Sequence, residues 1–122
     1  MKHLGTERYY GGRRWGWYEY SYYGDGDVIE ERTLTGDRRS WFITRYRGVT
    51  PVMMGEFIKK LAPLAGVERK SARGHDELKR VIHYLPWDDG YVDLNDIDKP
   101  DRRIIWAGGG RVVTGRVNVA GD

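Results

Sequence analysis

The 122-residue chain contains no cysteine and only four prolines, and no apolar run in it nears the roughly 18 residues of a membrane span. Without cysteine there are no disulfides, no thiolate chemistry and no zinc site built on sulfur. The first residues, Met1 to Glu7, lack the apolar stretch of a signal peptide, so the expectation is a cytoplasmic protein with no membrane partner. Charge of a single sign is scarce too, since 21 basic and 18 acidic residues leave a net +3. That balance is a mild bias toward nucleic acid, and its distribution says more. Residues 85–101 carry six aspartates against one lysine, a local −5, while the rest of the chain carries +8.

Aromatic side chains are abundant and concentrated. Residues 9–23 hold eight of the sixteen, in a stretch where Arg13 and Arg14 lead into Trp15, Trp17, Tyr18, Tyr20, Tyr22 and Tyr23. Rings favour a pleated, half-buried surface, so this stretch reads as a β-strand with large side chains on both faces. The segment before it, residues 1–12, has no clear periodicity and reads as an arm or loop. Gly24-Asp25-Gly26-Asp27 then contains the Asp-Gly pair that a two-residue hairpin turn prefers. A second strand is expected from Val28 to Leu34 and a third from Ser40 to Arg47, joined through Thr35-Gly36-Asp37.

With Asp25-Gly26 at the first tip, Tyr23 faces Val28 and Trp17 faces Leu34. With Gly36-Asp37 at the second, Glu30 faces Ile43. One side of this sheet then carries Trp15, Trp17, Tyr23, Val28, Leu34, Trp41 and Ile43. The other carries Tyr18, Tyr20, Tyr22, Ile29, Phe42 and Tyr46. The tryptophan side is expected to be core, and the tyrosine side, whose hydroxyls tolerate water, to be contact surface.

Beyond Gly48 the pattern turns helical. Thr50-Pro51 suits an N-cap followed by proline at the first helical position, and Met54, Phe57, Ile58, Leu61 and Ala65 share one face. Pro63 and Gly66 close this helix. A second runs from about Asp76 to Leu85, with Leu78, Val81, Ile82 and Leu85 as its apolar stripe. Residues 86–101 read as an acidic loop, and residues 102–119 as a hairpin turning at Gly108-Gly109-Gly110. The expected fold is a single α+β domain in the order βββααββ: a three-stranded antiparallel sheet (13–47), two helices (50–85) and a C-terminal β-hairpin.

Single-stranded nucleic acid is held by cations on phosphate and by rings on which bases stack. Arg13, Arg14, Arg38, Arg39, Arg45 and Arg47, together with Tyr18, Tyr20 and Tyr22, are therefore the expected binding residues. Arg69, Lys70 and Arg73 form a secondary basic patch. A competing reading covers the tyrosine side with the C-terminal hairpin and leaves the arginines as a solvated rim. Two helices followed by a hairpin also resemble a winged helix-turn-helix, but the Val67–Gly74 connection is long and Pro63 lies inside the first element.

Asp89-Gly90-Tyr91-Val92-Asp93-Leu94-Asn95-Asp96 resembles the second half of the calcium loops of dockerins and EF-hands. Matching Gly90 to the loop glycine puts Leu85 and Trp87 where the first ligands belong, and neither has a side-chain oxygen. Calcium takes about six to eight oxygens, so no metal site is expected. His75, Asp76 and Glu77 read as capping groups at a helix start. No nucleophile elbow and no phosphate loop is present, and neither a catalytic residue nor a cofactor is expected.

The leading expectation is thus a non-enzymatic domain that binds nucleic acid, single- or double-stranded. The alternative is a small inhibitor or adaptor, of the phage or mobile-element kind, that binds a protein of the host nucleic-acid machinery; tyrosine, tryptophan and arginine dominate protein hot spots too. An uncovered edge strand also makes a homodimer compatible with this pattern.

Overall fold

A computed structural model describes residues 1–34, 40–93, 103–108 and 111–116. The fold is mixed α+β. Six strands form one sheet: β1 (Lys2–Tyr10), β2 (Trp17–Asp25), β3 (Val28–Leu34), β4 (Ser40–Arg47), β5 (Glu68–Arg69) and β6 (Trp87–Asp93), in the order β5-β1-β2-β3-β4-β6. Helices α1 (Pro51–Leu61) and α2 (Arg73–Arg80) lie in the chain between β4 and β6 and flank β5. The hairpin β7 (Arg103–Gly108) and β8 (Arg111–Arg116) forms a separate two-stranded sheet. Among the described residues no helix is long and apolar enough to cross a membrane.

The sheet is thus twice the expected width, because the N-terminal arm, the connection between the helices and the acidic segment supply three further strands, β1, β5 and β6. Residues 2–10 pair antiparallel with β2 along their whole length, with a bulge between His3 and Gly5. Their alternation is hard to see because the inward position at the middle of β1 is Glu7, a charged residue. Likewise the first part of the acidic segment is β6, antiparallel to β4, with Asp88 opposite Arg45 and Asp89 opposite Thr44. Cross-strand pairing with the basic β4 explains why acids occupy a strand there.

Both expected hairpin registers are shifted by two residues. Asp25 pairs with Val28, so Gly26 and Asp27 make the turn, and Gly26 takes the left-handed φ of +56° that favours glycine. In the second hairpin Glu30 pairs with Arg45, and Leu34 with Trp41. A shift of two preserves the faces, so Tyr18, Tyr20, Tyr22, Ile29, Phe42 and Tyr46 do share one side. The assignment of sides is reversed. Both helices pack on the tyrosine side, where Tyr22, Ile29, Tyr46, Val49, Phe57, Leu61, Leu78 and Ile82 make the core. Phe57 of α1 meets the Tyr22 ring edge-on at 5.1 Å. Leu4 and Met54 close around Gly24 of β2, where a Cβ would already touch Leu4 at 3.2 Å.

Helix α1 begins where the pattern placed it, with Thr50 Oγ1 accepting the Met53 N–H at 3.1 Å and Pro51 as its first residue. Helix α2 is earlier and shorter than expected, and Val81 to Tyr84 continue it only as turns. Its buried residues are His75 and Leu78, with Ile82 following in the core, so the inward stripe starts at a histidine.

Candidate nucleic-acid interface

On the helix side, polar groups are buried in complementary sets. Glu7 is fully inaccessible and takes three partners. Arg69 of β5 donates to Oε1 at 2.5 Å, Tyr22 of β2 donates to Oε2 at 2.8 Å, and His75 Nδ1 of α2 lies 2.8 Å from Oε2. An ionised carboxylate only accepts, so this nitrogen carries the proton. The Tyr20 ring stacks on His75 with centroids 4.2 Å apart, and Tyr9 lies against Tyr18 and Tyr20.

Burial alone would raise the Glu7 pKa. The hydrogen bond and charge of His75, the Tyr22 hydroxyl and the Arg69 charge outweigh it and hold the carboxyl below the usual glutamate range. Burial raises the Tyr20 and Tyr22 hydroxyls far above the ordinary tyrosine value, so both remain neutral donors. A second set joins α2 to β3 and β4: Lys79 donates to Glu31 at 2.7 Å and to the Tyr46 hydroxyl. Burial opposes the charge on Lys79, but Glu31 and Tyr46 more than compensate and raise its pKa.

These sets relocate several expected binding residues. Tyr22 is entirely enclosed, and Tyr18 and Tyr20 are half-buried in the ring stack. Tyr22 therefore offers no contact surface: the hydroxyl that seemed suited to water serves an internal carboxylate. Arg69, expected in a basic patch, is committed to Glu7, while Lys70 and Arg73 are exposed and Arg73 lies 3.5 Å from Glu77. Arg45 donates to Glu30 at 2.8 Å, and Arg47 to Asp88 at 3.0 and 3.1 Å. Arg38 and Arg39 lie outside the described residues.

Arg13 and Arg14 are exposed, as a solvent-facing role requires. They sit in the connection between β1 and β2, where Gly16 N–H bonds to Gly12 C=O and Gly11 N–H to Gly16 C=O, both at 2.8 Å. Gly16 has a φ of +66°, which lets this turn reverse the chain into β2. The result presents Trp15 at 57% exposure with the Arg14 guanidinium 4.9 Å from its ring centroid. Neither Arg13 nor Arg14 has an acidic partner among the described residues.

The strand surface behind this tip is the side without helices. It carries His3, Thr6, Arg8 and Tyr10 of β1 opposite Tyr23, Ser21, Glu19 and Trp17 of β2. Here Arg8 lies 5.6 Å from the Trp17 centroid, Tyr10 packs on Trp17 at 5.4 Å, and His3 packs on Tyr23 at 5.1 Å. Thr6 Oγ1 lies 3.0 Å from both His3 Nε2 and Ser21 Oγ. On the β3–β4 half of the same face, Glu30, Arg32 and Ile43 are buried, with Arg32 held between Glu30 and the Tyr23 ring. On this face the partly accessible rings Tyr10, Trp17 and Tyr23 lie on the β1–β2 half, with Trp15 exposed at its tip; Tyr84 and Trp87 are exposed elsewhere.

Pattern reasoning missed Arg8, Trp17, Glu7 and His75 as site or network residues. The alternation alone puts Trp17 in the core and leaves residues 1–12 as an arm or loop. For His75 a signal existed, since it precedes Leu78 by three positions and Ile82 by seven, on the inward stripe of the helix. Comparison with protein-family models, curated proteins and solved structures found no match.

Proposed function

We propose that this domain binds single-stranded nucleic acid through the helix-free surface of β1 and β2 and the tip of their hairpin. The observation that carries the reading is Trp15, an exposed ring stacked by Arg14 beside Arg13, with neither arginine held by an acid among the described residues. Trp87 is exposed to the same degree; what sets Trp15 apart is the pair of arginines beside it. Stacking of a base on such a ring contributes about 1–3 kcal/mol and tolerates any base. Arg13 and Arg14 supply charge for phosphates, and Trp17, Tyr10 and Tyr23 continue the aromatic surface along the strands.

The test is a titration of a labelled thymine oligonucleotide at several salt concentrations. Binding should weaken linearly on a log–log scale, with a slope of about 0.7 per phosphate contacted. Trp15→Ala should weaken binding by about 1–3 kcal/mol and leave that slope in place. Failure to bind even at low salt would remove the reading and promote the inhibitor or adaptor alternative, since arginine beside tryptophan is also hot-spot composition.

A further inference from the structure

Beside this surface, a cleft of about 520 Å³ opens between β1 and the 65–68 segment, lined by His3, Thr6, Arg8, Gly66, Val67 and Glu68 among others. Its volume lies within the ~300–1,000 Å³ range of sites that enclose a small ligand. At one end Arg8 and Glu68 stand directly opposite each other on the parallel strands β1 and β5, with NH1 and Oε1 3.0 Å apart. Both are partly exposed, at 35% and 60%. A pair so placed contributes at most about 1 kcal/mol, so opening it to admit a ligand costs little. Arg8 also touches Trp17, which makes the cleft continuous with the aromatic surface.

We propose that this cleft is a base-selective subsite for guanine in the bound strand, with Arg8 and Glu68 as its reading groups. This rests on the nucleic-acid reading above. A guanidinium is a fork of donors that matches the O6 and N7 acceptors of guanine. A carboxylate accepts through two oxygens, and guanine presents two adjacent donors on its Watson–Crick edge, N1–H and the N2 amine. Thymine presents one donor there, N3–H between two carbonyls, and adenine and cytosine each present one amine beside a ring nitrogen that accepts. Guanine alone engages both members of the pair through two bonds each.

The experiment compares a labelled thymine strand with the same strand carrying one central guanine or one inosine, on the full chain. The guanine strand should bind at least about fivefold tighter than the all-thymine strand. Inosine, which lacks the N2 amine, should fall between them. Glu68→Gln should reduce the guanine preference to the part that Arg8 supplies through O6 and N7, and strengthen the all-thymine complex, because a negative charge leaves the surface. Glu68 is exposed enough for the variant to keep its fold, which circular dichroism checks. Equal affinity for guanine and thymine strands, or a preference undiminished by Glu68→Gln, overturns the subsite. If the thymine strand still binds with its salt slope, only the subsite falls; if neither strand binds, both readings fall together.

Discussion

The helix side of the main sheet and the tip of the β1–β2 hairpin use the same residue types for opposite purposes. On the helix side, arginine, tyrosine and histidine converge on Glu7, and both carboxylate oxygens are engaged, although Arg69 Nε is buried without a hydrogen-bond partner. At the β1–β2 tip, Arg13 and Arg14 have no such acid among the described residues, and Trp15 keeps more than half its surface in water. Residue chemistry therefore does not distinguish structure from contact here. What distinguishes them is whether a counter-charge from a distant segment reaches the group.

The sharpest way to break this contrast is to remove the carboxylate. Glu7→Ala strands the Arg69 guanidinium and the His75 imidazole inside the protein, and loss of one partner from a buried ionic set typically costs about 3–5 kcal/mol. Urea unfolding at neutral pH should show a midpoint shifted by that amount, or no folded state at all. An unchanged midpoint would mean that the buried set contributes nothing to the fold. Tyr22→Phe is the milder version, since it keeps the ring against Phe57 and deletes only the donor to Glu7. A hydrogen bond to a charged group contributes about 1.5–3 kcal/mol, and the variant should lose that much in the same assay.

How much of this was legible in the residues follows from where each partner lies in the chain. Local features were: β3 and β4 have the expected bounds, Thr50 caps α1, and the ring sets on the two faces of the sheet are those the alternation implied. The choice of core face was not, because it depends on residues 7, 69 and 75 meeting across three segments. Seen alone, Glu7 breaks the alternation of a strand, Arg69 looks like a surface cation and His75 looks like a cap. Only together do they make a burial-compatible set, and no window of periodicity contains all three. Exposure was legible only in part: Arg13 and Arg14 are exposed, whereas Tyr22 is enclosed and Tyr18 and Tyr20 are half-buried on the helix side.

Acid should act next, through the carboxylate on the helix side. The Glu7 carboxyl is held below its ordinary value in the folded state, so its stabilisation is complete above about pH 4.3, the unfolded value. It is lost as the pH falls through the folded value. Lys79 runs the other way: with its pKa raised, its contribution is complete at neutral pH and disappears only as the pH rises through the folded value, in alkali. Stability measured by urea midpoint should therefore be flat across neutral pH and fall on the acid side below about pH 4.3. In Glu7→Gln that acid limb should shrink, which distinguishes this carboxyl from the other acids of the chain. A limb of unchanged depth would assign acid sensitivity elsewhere.

The smallest stability effect belongs to the tip and is the most informative about function. In Arg13→Ala with Arg14→Ala, the only described interaction lost is the guanidinium over Trp15, which at an exposed site contributes no more than about 1 kcal/mol. The urea midpoint should barely move. Binding of a thymine strand should nevertheless weaken, with the salt slope falling by about 1.4 if each arginine neutralises one phosphate. A variant as stable as the parent but with a reduced slope places the helix side and the tip in separate roles, one holding the fold and one holding the strand. A variant that binds with the parent's slope moves the phosphate contacts away from the tip, and Lys70 with Arg73 is then the exposed basic pair to remove next.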